Sequence, residues 1–91
     1  MVKMSVEEFA VKHRQPGWYI DVCGMYCLNL GRHLITVFQN DMDDALEVCV
    51  DEMSVRGMYE DNREWETPES EDELMATVNR FAREYCNAGG K

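Results

Sequence analysis

The chain has 91 residues, 45% of them hydrophobic and 30% charged, which is enough apolar material for one small core and too much for a disordered tail. Its 18 Asp and Glu against 9 Lys and Arg give a formal charge of -9, a balance that opposes direct binding of nucleic acid through phosphate contacts. No apolar run approaches the ~18 residues that span a bilayer, and Glu7 and Glu8 stand where a signal peptide would carry its apolar core, so a cytoplasmic protein with free thiols is expected.

Ser5 and Glu8 have the spacing of a capping box, and Met4 and Phe9 that of a hydrophobic staple. Val6, Phe9, Ala10 and His13 then recur on one helical face, which predicts a helix near 5–15 that Pro16-Gly17 ends. From Trp18 the period changes to two, with Trp18, Ile20, Val22, Tyr26, Leu28 and Leu30 on one parity. Gly31 supplies a turn and His33 to Phe38 return, so 18–38 reads as an antiparallel hairpin, bent or bulged at Gly24. An extra turn at Cys23-Gly24-Met25 would make it a three-stranded meander.

Asn40 or Asp41 caps the next expected helix, 41–56, whose Met42, Ala45, Leu46, Cys49, Val50 and Met53 fit the helical period. Arg56 suits its C-terminal dipole and Gly57 its close. Residues 58–66 form an acidic loop with room for a short third strand. Thr67 or Ser70 opens a final helix to about residue 86, with Leu74, Met75, Val78, Phe81, Ala82 and Tyr85 as its apolar stripe, and residues 87–91 form a frayed tail. The expected fold is a single α+β domain over 1–91, order α-β-β-α-α, with helices packed on a two- or three-stranded antiparallel sheet. The other face of that sheet, with Tyr19, Met25 and the cysteines, is half apolar and needs a further helix or a partner chain.

Motifs for chemistry are sparse. Cys23, Cys27, Cys49 and Cys86 form no paired C-x2-C knuckles, so free thiols are favoured over structural zinc, and no metal or cofactor is expected. Cys27 and His33 lack a third orienting group, which argues against an enzyme. Asp41, Asp43 and Glu52 match three positions of a calcium loop, but Ala45 and Leu46 replace its next ligand and its turn glycine. No phosphate-binding glycine loop or hydrolase elbow occurs.

Charge organisation carries the functional expectation. Fourteen carboxylates face two arginines between Asn40 and Glu73, whereas the remainder holds four carboxylates and seven basic residues. On a helix, Asp44, Glu47 and Asp51, with Asp43 beside them, would form one acidic ridge. Glu60, Asp61, Glu64 and Glu66 extend it, interleaved with Tyr59 and Trp65, residue types that anchor interfaces. These ten residues are the expected contact surface for a basic, nucleic-acid-binding protein partner. In size and charge organisation the chain resembles the small acidic proteins of phages and mobile elements that block defence nucleases, the anti-CRISPR and anti-restriction DNA mimics. That resemblance is one of surface character and transfers no residue roles; it implies a non-enzymatic inhibitor or modulator. The alternative is a small structural or regulatory subunit, or a homodimer through the sheet, in which acidity serves only solubility.

Overall fold

The structure, a computed structural model, describes residues 1–89. It has two helices and five strands: α1 (Val6–Lys12), β1 (Trp18–Ile20), β2 (Tyr26–Asn29), β3 (His33–Gln39), β4 (Leu46–Met53), β5 (Tyr59–Glu66) and α2 (Glu71–Gly89). Of the tail expected to fray, residues 87–89 continue α2, and Gly90 and Lys91 lie outside the described residues. The strands form one antiparallel meander in the order β1-β2-β3-β4-β5.

The register explains how this chain makes a core. Tyr26, Val37 and Val48 align across three strands, as do Leu28, Ile35 and Val50, and side chains at these positions point to one face. There they meet Val6 and Phe9 of α1 and Leu74, Val78 and Phe81 of α2, so both helices cover the same side of the sheet. The α2 residues are those of the 3.6-residue period, and both capping serines act: Ser5 Oγ accepts from the Glu8 amide at 3.0 Å and Ser70 Oγ from the Glu73 amide at 3.1 Å.

The expected order α-β-β-α-α and the two- or three-stranded sheet are overturned by the central segment, since residues 46–53 form a strand, not part of a helix. Leu46, Val48 and Val50 fit a period of two as well as most of the same segment fits 3.6, and the β-branched valines favour a pleated surface. Pairing with β3 over seven residues then buries all three completely, including Val48, which a helical stripe leaves out. The aspartates that suggested a helix start instead close a turn. Asn40 Oδ1 accepts from the Met42 amide, Asp43 Oδ1 accepts from the Ala45 amide, and Asp44 takes a left-handed φ of 59°. Gly57, read as a helix close, sits at φ 80° in the β4–β5 hairpin, where the Ser54 amide donates to the Met58 carbonyl. Of the acidic loop expected at 58–66, with room for a short strand, all but Met58 forms the eight-residue strand β5, and a turn forms between Asp21 and Met25 with Gly24 at φ 81°.

Candidate functional site

The face opposite the helices is covered by no element of the described chain. Its central transverse row runs Tyr19, Cys27, Thr36, Cys49, Trp65 across all five strands. Small side chains fill the middle and are buried by their neighbours, while the aromatics at the two edges, Tyr19 and Trp65, are exposed. On either side stand Leu34 and Phe38 of β3, Glu47 and Asp51 of β4, and Tyr59 and Asn62 of β5. The chain from His33 to Val55 contains no Lys or Arg, and Arg63, the residue of β5 that the register shift leaves unpaired, reaches Glu52 on the helix side at 3.3 Å, so among the described residues no Lys or Arg occupies an outward strand position on this face.

One cluster dominates this face. Glu47 is only 5% exposed, and both of its oxygens accept: Oε1 from the Trp65 indole N–H at 2.7 Å, Oε2 from the Asn40 side-chain amide at 3.0 Å. The Asn40 amide is oriented by its own oxygen, which accepts from the Met42 amide. Phe38 meets the Trp65 ring edge to face, centroids 5.3 Å apart at 82°. Trp65 is nonetheless 55% exposed. At the other end, Asp21 Oδ1 accepts from the Cys23 and Met25 amides, and a groove of about 720 Å³ between Met25, Phe38 and Glu7 carries Asp41 on its rim.

The ten residues expected to form one surface are distributed as strand geometry requires. Glu47, Asp51, Tyr59 and Trp65 share the open face, and Asp51 accepts from the Asn62 amide at 3.2 Å. Tyr59 donates across the sheet end to the Gly31 carbonyl. Asp43 and Asp44 lie exposed in the β3–β4 connection. Glu64 and Glu66 point to the helix side, where Arg80 lies 3.9 Å from each and Tyr85 donates to Glu64. Asp61 pairs opposite Glu52 on that same side. Glu60 sits at an irregularity of β5 and is held by Arg56 first and Ser54 second, which draw its carboxyl below the usual range. The single ridge of Asp44, Glu47 and Asp51 does not form, because alternate strand residues, not every third or fourth, share a face. Tyr19 lies on the open face, as the strand parity from Trp18 implies, whereas Phe38 and Asn62 do not stand out in the sequence and Asn40 reads there only as a helix cap; the two-residue parity of 46–53, once chosen over the helical one, is the signal that gathers them.

The thiol chemistry narrows. Cys27 and Cys49 lie on the open-face row with Thr36 between them, whereas His33 projects from the helix side, so a Cys27–His33 pair cannot meet. Burial pushes the Cys27 thiol up to about 11 and the Cys49 thiol up to about 12, away from nucleophilic thiolate. All four cysteines are free, and among the described residues no three His, Cys, Asp or Glu side chains are grouped to hold a metal ion. Among the described residues no helix is long and apolar enough to cross a membrane. Comparison with protein-family models, curated proteins and solved structures finds no match.

Proposed function

We propose that this protein is a non-enzymatic binding module that docks its uncovered sheet face onto a basic, nucleic-acid-binding protein and obstructs that partner's natural ligand. The observation that carries this reading is the composition of the open face: exposed or half-buried aromatics beside carboxylates, with no cation at an outward strand position. Aromatics supply buried area at low entropic cost, and one-sign charge speeds encounter with its complement and deters wrong partners. A phosphate-lined groove wants the opposite surface, so the partner is a protein whose own site accepts anions.

The test uses Asp41→Lys with Asp51→Lys, a double reversal that leaves Glu47 and its two hydrogen bonds in place. Association with a partner recovered from the source cells is expected to slow about tenfold in low salt, with the difference shrinking near physiological ionic strength, where the screening length is about 8 Å. DNA or RNA should displace the partner. Capture at the wild-type rate in low salt by the folded variant would reject the reading. Self-association through the same face would oppose Glu47 and Asp51 of two copies; concentration-dependent sedimentation that is insensitive to salt would favour it instead.

A further inference from the structure

We infer that the exposed face of Trp65 is an arginine-receiving site, with Glu47 as the residue that positions the ring. This rests on the docking reading above and names the partner chemistry at its centre. Three observations meet here. Trp65 is more than half exposed, yet its N–H is fixed on Glu47 and its ring packs edge to face with Phe38, so the ring is held in one orientation before any partner arrives. Such pre-organisation removes an ordering cost from binding.

Glu47 is almost fully buried, both its hydrogen-bond donors are neutral, and among the described residues no Lys, Arg or His lies within ion-pair distance of it. A carboxylate taken out of water without a counter-charge is costly, and a cation brought close to it offsets that cost. The connection that supplies Asn40, itself bonded to Glu47, also carries exposed Asp41, Asp43 and Asp44, while Arg63, two residues before Trp65, is engaged by Glu52 at 3.3 Å.

An indole face is the strongest aromatic cation receptor, and the planar, weakly hydrated guanidinium stacks on it while its edge N–H groups remain free to donate to neighbouring carboxylates. Lysine presents a compact, strongly hydrated ammonium that gains less from the stack. A core-plug role for Trp65 does not fit, because no element of the described chain covers the ring.

Titration of the full chain with nona-arginine and nona-lysine peptides at low salt separates the site from the docking reading. The arginine peptide is expected to bind about tenfold more tightly, and to change the emission of Trp65 in a Trp18→Phe background. Arginine can favour an anionic surface without any ring, so the decisive variant is Trp65→Leu: the preference should collapse while lysine-peptide affinity persists. Equal affinity of both peptides for the wild-type chain, or an arginine preference that survives Trp65→Leu, overturns the arginine site and leaves charge-based docking standing. If neither peptide binds at low salt, the docking reading itself falls. For the positioning role, Glu47→Gln removes the buried charge and should weaken both peptides, but it keeps an acceptor for the indole N–H and should keep the arginine preference, whereas Glu47→Leu should lose that preference and loosen the ring in NMR relaxation. Equal loss in both variants refutes positioning.

Discussion

At the residue scale, the four cysteines show how burial sorts chemically identical groups. Cys27 and Cys49 sit in the middle of the open face, where only small side chains fit beneath the spread of Tyr19, Leu34, Phe38 and Trp65, and desolvation disfavours their thiolates. Cys23, in the β1–β2 turn, and Cys86, near the end of α2, are exposed. A disulfide-exchange reagent at pH 8 is therefore expected to modify two thiols per chain rapidly, Cys23 and Cys86, and two slowly, with Cys23→Ser and Cys86→Ser each removing one fast equivalent. Four fast equivalents in the native protein would contradict the packed centre of this face. Cys49 shows that a residue's burial can be anticipated from the company of Leu46 and Met53 while its surroundings are not: it is packed by open-face neighbours, not under a helix.

At the element scale, the informative residue is Asp44. Its φ of 59° lies in the left-handed region, and its side chain makes no hydrogen bond among the described residues, while its carbonyl accepts from the Gln39 side chain at 2.9 Å. Asp44→Gly is expected to leave stability unchanged or slightly raised, because glycine carries no Cβ penalty there. Asp44→Val should cost about 1–2 kcal/mol by the same steric argument. Inside a helix the glycine variant would instead be the damaging one, by about 1 kcal/mol relative to alanine. Chemical denaturation of the two variants thus distinguishes the turn from a helix start. The same segment shows what was legible in the sequence. The N-terminal and C-terminal helices were readable because capping serines and 3.6-residue stripes agree, and Gly24 and Gly31 mark turns that the sequence offered, whereas Gly57, expected to close a helix, turns a hairpin instead. The central element was not, because Leu46 to Met53 satisfies two periods at once, and the choice is made by long-range pairing with β3, which no local pattern encodes. The open-face site followed that choice: Trp65 and Glu47 are 18 residues apart and only the β4–β5 register brings them together.

At the scale of the whole molecule, the two helices that share one face of the sheet are tied directly. Glu71, at the start of α2, accepts from Lys12 at the end of α1, at 3.1 Å, and meets the adjacent His13 ring. The bond to His13 first and that to Lys12 second hold the Glu71 carboxyl below its ordinary value of 4.5. A group depressed in the folded state stabilises it above the unfolded pKa and loses that contribution as pH falls through the folded value. Acid should therefore release this clasp below about pH 4.5, with Glu60 and its Arg56 partner adding to the same limb. The alkaline limb has different owners. Burial raises Cys27 to about 11 and Cys49 and Tyr85 to about 12, with Glu64 adding to the shift of Tyr85. Each therefore stabilises the fold below its ordinary value of 9.0 or 10.0, and that stability is lost as pH climbs toward the folded values. Calorimetry from pH 3 to 11 should show a dome in melting temperature. Glu71→Gln should lower the plateau and flatten the acid limb while leaving the alkaline limb unchanged, because it removes the clasp without touching the open face. An acid limb that keeps its full slope in Glu71→Gln would mean that acid unfolds the chain through other carboxylates and that the α1–α2 clasp is a surface ornament of negligible weight.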